Sequence, residues 1–312
     1  MKDLLLHTRL LPVVLLSLFL LSCSEKESIN ISLKGTAAES KDSQQPRIYS
    51  FGFDPRSSPQ EDARQYLPFL KYLESATGYR FQLRFTQKGT DITDTLGKGE
   101  LDFAALGATS YIHARETHNY SITPIARGVN MQGKDVYRSY YIVHSNSDIS
   151  AISQLPGRNM AFGSKTSTQG HLIPRIIMQQ HGITLAQLSS YKYTGSHINC
   201  ANAVVAGHAD ICGMQDTMAE DMAKQGLIKI LYRSDYYPSS GIVANNKVNK
   251  QVIEKVRQAL LAFQPMGKHS SKLYNWHKTE MPRGFVQARQ EDYIELKQWM
   301  LKLGFLKTQA GS

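Results

Sequence analysis

From residue 47 onward the apolar positions alternate between two patterns. Short stretches such as 47–53, 101–106, 122–129 and 210–214 are apolar throughout or at every second position, and predict strands. Between them, apolar residues recur three or four positions apart. Over 59–76, Tyr66, Leu67, Leu70 and Leu73 mark a helix that Gly78 is placed to end. The same periodicity predicts helices over 91–98, 109–118, 171–181, 197–206, 217–225, 250–263 and 290–303, with weaker ones over 149–155 and 271–277. Ser196 and Asp216 stand as N-caps of two of them. Further strands are expected over 79–87, 135–145, 159–163, 191–193, 227–232 and 242–244. Strands spaced by helices make βαβ units and a mostly parallel sheet. There are two such series, and the strands at 135–145 and 242–244 are expected to cross between them. The expected fold is therefore α/β with two hinged lobes, 47–140 plus 245–312 and 141–244, and a cleft at the strand carboxyl ends.

Residues 1–22 break this pattern. Lys2 and Arg9 precede a mostly apolar run over 10–21, the length and shape of a secretory signal peptide. The run ends in Leu20-Leu21-Ser22-Cys23, which resembles the bacterial lipobox, so cleavage before Cys23 and lipidation of its thiol are expected. Residues 24–46 carry few large apolar side chains and many Ser, Lys, Glu, Asp and Gln, the composition of a tether from a lipidated Cys23 to the folded part. The protein is then a membrane-anchored lipoprotein of the periplasm or cell envelope. No other stretch approaches 18 consecutive apolar residues, which excludes a polytopic membrane protein.

The formal charge is +10 over 312 residues, and the leader removes two basic residues and one acidic one, so the exported part stays basic. Lys and Arg are scattered rather than clustered, which argues against nucleic acid and leaves an anionic membrane or a small anionic ligand as the partner of the basic surplus. Outside the leader the cysteines are Cys23, Cys200 and Cys212. In an oxidising compartment the latter pair is compatible with a disulfide or with two buried thiols. No Cys/His spacing suggests a metal, and neither a GxSxG nor an HExxH motif is present, so no metal, cofactor or catalytic group is assigned.

Three strand-to-helix loops offer chemistry. In Gly163-Ser164-Lys165-Thr166-Ser167-Thr168-Gln169-Gly170-His171, four hydroxyls and a lysine precede a helix, where free N–H groups and the helix dipole suit an oxyanion. The bland alternative is that the hydroxyls merely cap the helix. The stretch Leu101–Tyr111 has the same form and offers Thr109, Ser110 and Tyr111, again with ordinary capping as the alternative. Ser196 and His197 open a third helix, where a histidine is placed for ligand contact as readily as for structure.

These segments resemble the PhnD-like family, the periplasmic binding proteins of phosphate, phosphite and phosphonate ABC transporters. Leu101-Asp102-Phe103 with Leu106-Gly107-Ala108-Thr109-Ser110-Tyr111 is similar to the family's VDxAxxGPxSY segment, with Ala108 where Pro is usual. The run from Ser167 to Pro174 is similar to STSGYLxP, and Gly195-Ser196-His197 with the run from Ala203 to Asp210 is similar to SHxxxxxAVxxGxAD. The resemblance covers roughly 48–263. It implies a type 2 periplasmic-binding-protein fold that clasps an oxyanion of the phosphonate type between its lobes. It implies contacts from Ser167, Thr168, Tyr111 and His197, with Thr109 and Ser110 beside them. Gln169 stands where the family has a third serine, which leaves the exact ligand open. The implied protein is a monomeric solute receptor, not an enzyme, that delivers its ligand to an ABC permease. A receptor that signals to a membrane partner, a binder of another anionic solute and a surface hydrolase are the competing classes.

Overall fold

The computed structural model describes residues 47–53, 58–85 and 90–307. The leader, Cys23 and the tether lie outside the described residues. In chain order the strands are β1 (Ile48–Phe53), β2 (Arg80–Phe85), β3 (Phe103–Leu106), β4 (Ile122–Gly128), β5 (Val136–Tyr137), β6 (Ser139–His144), β7 (Asn159–Phe162), β8 (Ser190–Tyr193), β9 (Ile211–Gln215), β10 (Ile228–Arg233), β11 (Tyr237–Pro238), β12 (Gly241–Asn245) and β13 (Phe285–Gln287). The α-helices are α1 (Pro59–Thr77), α2 (Ile92–Lys98), α3 (Ala108–Thr117), α4 (Ile173–Gln180), α5 (His197–Val205), α6 (Asp216–Lys224), α7 (Lys250–Leu261) and α8 (Ile294–Lys302).

The strands form one six-stranded sheet in the order β13-β4-β12-β3-β1-β2 and one five-stranded sheet in the order β10-β6-β9-β7-β8. The fold is the expected bilobal α/β arrangement, but the sheets are mixed rather than mostly parallel. β2, β1 and β3 run parallel, whereas β12 is antiparallel to both its neighbours. In the second sheet β9, β7 and β8 are parallel, and β6 is antiparallel to β9 and β10. The reason is that the chain enters β6 and β12 from the opposite sheet rather than through a helical crossover on the same face.

The crossings are also shorter than expected. The stretch 135–145 is broken at Arg138 into β5 and β6, and the strand at 242–244 lies inside the first sheet as part of β12. The links are β5 and β11, which pair antiparallel with Tyr137 opposite Tyr237. Arg127 braces this neck: it is 8% exposed, its Nε donates to Asp292 at 3.0 Å, and its guanidinium also holds the carbonyl (2.6 Å) and carboxylate of Asp135.

The first lobe's core is aromatic. β1 is buried from Tyr49 onward, and Phe53 stacks on Tyr66 of α1 at 3.9 Å. α1 buries Tyr66, Phe69, Leu70 and Leu73, each worth about 1.5–3 kcal/mol. Leu67, expected on that face, is 46% exposed, because one residue further along rotates the side chain by about 100°. Ser58 caps the helix start, and Gly78, at φ 73°, ends it in the left-handed region. In the second lobe Cys200 of α5 and Cys212 of β9 form a disulfide with Cα atoms 5.8 Å apart. The bridge ties a helix to the strand it packs on, both fully buried there.

Candidate ligand-binding site

Four loops connect the carboxyl end of a strand to the start of a helix and meet between the sheets: β3 to α3, β7 to α4, β8 to α5, and β9 to α6. They enclose a cleft of about 170 Å³. Ser110, Thr166, Ser167, Thr168, Ser196, His197 and Ser240 are among its polar lining, and Phe53, Leu106 and Met281 among its apolar lining. Among the described residues neither Lys nor Arg lines it, and Glu280 is the one acidic residue that does.

The loop after β7 is built for this position. Ser167 Oγ accepts the Gly170 N–H at 2.9 Å, so it does cap the helix while keeping its own proton to donate. Residues Thr168–Leu172 form a π-helical turn before α4. Pro174, with no N–H to give, sits in the first turn of α4. A side chain at 170 would place its Cβ 2.9 Å from Ser167 Oγ and 3.0 Å from the His197 ring, so only glycine lets these two groups flank the loop. Lys165 does not reach the cleft. Its ammonium lies over the Tyr193 ring at 5.5 Å, and its carbonyl bonds His171 Nδ1 at 2.8 Å.

Thr168 carries the contact between lobes. Its hydroxyl accepts the Thr109 N–H at the start of α3 at 2.9 Å. Beside it Ser110 Oγ donates to the Thr166 carbonyl at 3.4 Å. The Thr168 oxygen is thus engaged and its proton remains to donate. His197, in the first turn of α5, accepts the Gln215 N–H on Nδ1 at 3.4 Å. Residues at three helix N-termini therefore line one space: Ser110 of α3, Thr168 and Gln169 of the π turn leading into α4, and His197 of α5. The start of α6 is already occupied, because the Asp216 carboxylate accepts the Thr217 N–H at 2.8 Å and the Arg138 N–H at 2.9 Å. Burial raises the Asp216 carboxyl above its ordinary value.

Of the residues singled out in the sequence, Ser110, Ser167, Thr168, Gln169 and His197 line the cleft. Thr109 lies behind its wall at 2% exposure, bonded through its N–H to Thr168. Tyr111 does not face the cleft. Its ring packs 5.0 Å from Tyr293, and it lines a separate groove with Arg115 and Lys297. The cause is helical rotation: Tyr111 is the fourth residue of α3, and its side chain leaves on the side facing the segment before α8. Gln169 is buried at the boundary of the cleft. Its Nε2 donates to the Arg138 carbonyl at 2.8 Å and to Asp216 at 3.3 Å. That amide faces a neighbouring chamber of about 320 Å³ bounded by Arg138, Asp216, Glu220, Arg233, Tyr236 and Glu280. Tyr137, Gln169, Gln215 and Glu280 are shared by both chambers.

Tyr137, Gln215, Ser240 and Glu280 are among the lining residues that were not anticipated. The turn-rich 236–241 stretch was the available signal for Ser240, while Tyr137 was hidden within one apparent strand. Among the described residues no group of three or more His, Cys, Asp or Glu is placed to hold a metal ion.

A protein-family model described as "ABC transporter, phosphonate, periplasmic substrate-binding protein" matches residues 51–293. The chain is similar to the phosphate-import protein PhnD of Mycolicibacterium smegmatis, 23% identical over 227 residues that make up 68% of this chain and 70% of that protein. It is also similar to a probable ABC transporter phosphite binding protein, PhnD1, of Prochlorococcus marinus, 25% identical over 51% of this chain and 50% of that protein. Among solved structures, PhnD1 of Prochlorococcus marinus in complex with methylphosphonate superposes with a TM-score of 0.71, at 17% identity, covering 83% of this chain and 99% of that one.

Proposed function

Because the chain belongs to the family of periplasmic substrate-binding proteins of phosphonate ABC transporters, we propose that its cleft binds a small tetrahedral oxyanion of the phosphonate, phosphite or phosphate class and delivers it to an ABC permease. The observation that carries this reading is the convergence of three helix N-termini and their hydroxyls on a cleft that, among the described residues, neither Lys nor Arg lines. Such a site stabilises an anion with N–H and O–H dipoles rather than with ion pairs. Ser167, Thr168 and His197 are proposed as ligand contacts, with Ser110 at the rim. Thr109 and Gln169 act through their neighbours, and Tyr111 is left out of the ligand shell. The role is binding without catalysis, by a monomer whose lobes close about β5 and β11. Similar proteins bearing phosphate, phosphite and methylphosphonate in their names support the ligand class.

Thermal-shift and calorimetric titration with methylphosphonate, phosphite, phosphate and sulfate test the proposal. Ligand at about 100 times its Kd stabilises by about 2.7 kcal/mol. Binding of none of the phosphorus oxyanions, or a preference for sulfate, would overturn it. We place the protein on the membrane through lipidated Cys23, because two or three acyl chains hold firmly at about 0.8 kcal/mol per buried CH₂. Cys23→Ala should then move the protein from the membrane fraction to the soluble one, or leave its leader attached.

A further inference from the structure

Tyr137 stands where the neck between the lobes meets the cleft. It belongs to β5, pairs with Tyr237 of β11, and is 4% exposed. Its hydroxyl is sealed from solvent, lies close to the hydroxyls of Thr168 and Ser240, and has no well-formed hydrogen-bond partner. Thr168 Oγ1 already accepts the Thr109 N–H, and the carboxylate of Glu280 lines the same cleft, yet neither gives the Tyr137 hydroxyl a well-formed hydrogen bond. A buried hydroxyl in this position is costly, and groups of this kind in a native protein call for an explanation.

We infer that Tyr137 is a ligand-contacting residue whose hydroxyl donates to an unprotonated oxygen of the bound oxyanion, so that the ligand satisfies a buried donor that has no well-formed partner without it. The inference rests on the function proposed above and extends it to a residue in the neck. Burial holds the phenol far above its ordinary titration range, so it is a neutral donor at any physiological pH. A neutral donor takes no part in long-range attraction. It rewards an acceptor oxygen at one place, and that place is fixed by the pairing of β5 with β11. Closure about the neck and completion of the ligand shell are then one event, because the same residue takes part in both.

Tyr137→Phe keeps the ring and removes the donor. The expected result is a split. Affinity for methylphosphonate or phosphate, whichever binds wild type more tightly, falls at least about tenfold. The melting temperature without ligand stays the same or rises, because an unpaired buried hydroxyl has been deleted. Unchanged affinity overturns the inference while leaving the proposed function intact. Weaker binding together with a lower ligand-free melting temperature also overturns it, since the hydroxyl would then be holding the neck. If wild type binds none of the phosphorus oxyanions, the functional proposal itself has failed.

Discussion

Lowering the pH should destabilise this protein through one buried histidine. His171 is 5% exposed and packs against Phe162 and Phe305, with ring centroids 5.0 Å and 4.6 Å away. Its Nδ1 lies 2.8 Å from the Lys165 carbonyl and its Nε2 lies 3.1 Å from the Tyr193 hydroxyl. A neutral ring satisfies both, donating from Nδ1 and accepting on Nε2. Burial pushes its pKa from an ordinary 6.5 down to about 4, with Arg175 and Lys165 adding to the effect against the bond to the Lys165 carbonyl. The unfolded chain binds this proton more readily than the native one. The stability it contributes is therefore present above about pH 6.5 and lost as pH falls toward about 4. Linkage puts the loss at about 1 kcal/mol near pH 5.5 and about 3 kcal/mol near pH 4. His171→Gln cannot titrate, so the difference in unfolding free energy between wild type and this variant isolates the group. Urea unfolding of both at several pH values should show that difference shifting against wild type by about 3 kcal/mol between about pH 7 and pH 4. A difference that stays flat within about 0.5 kcal/mol would refute the reasoning, and would mean that the native ring is charged or open to water.

Thr168→Val should weaken oxyanion binding by about 10- to 100-fold in calorimetry, because it removes a donor to the ligand and leaves the Thr109 N–H without its acceptor. The double variant Cys200→Ala with Cys212→Ala should lose about 3 kcal/mol in denaturant unfolding, from the loop-closure entropy of a bridge spanning 12 positions. Gly213→Ala should lower the melting temperature by the equivalent of about 1–3 kcal/mol, since its Cβ would fall 2.4 Å from Cγ of the stiff Pro174 ring.

Local signals in the sequence were reliable where short-range physics decides. Ser196, Gly78 and the hydroxyl run at 164–168 announce a helix start, a helix end and a strand-to-helix loop, and each stands where those residues predict. Rotation about a helix was harder to read. Tyr111 lies one residue past Ser110 in the motif, yet one side chain lines the cleft and the other packs on Tyr293. Where helix α3 begins sets that difference, and a motif match does not carry it. Partnership between distant strands was not legible either. β12 pairs with β3 and β4, more than a hundred residues earlier, and only this pairing shows that the neck lies at β5 and β11. Tyr137 was missed for that reason: its importance comes from its partner across the neck and from a hydroxyl that nothing in its own segment satisfies.

Among the described residues the cleft wall holds hydroxyls and helix starts rather than Lys or Arg, and this bears on how a bound ion leaves. An ion pair keeps much of its pull as its partners separate, because Coulomb energy falls only as the inverse of distance. Hydrogen bonds from N–H and O–H groups weaken steeply once distance and angle leave a narrow range. The donors here are divided between the lobes, with α3 on one side and α4 and α5 on the other. A small rotation about the neck would withdraw one set from the ion and open the Thr109–Thr168 bond in the same movement. On the proposed function, a partner that holds the two lobes slightly apart would weaken these bonds without a competing anion or a proton.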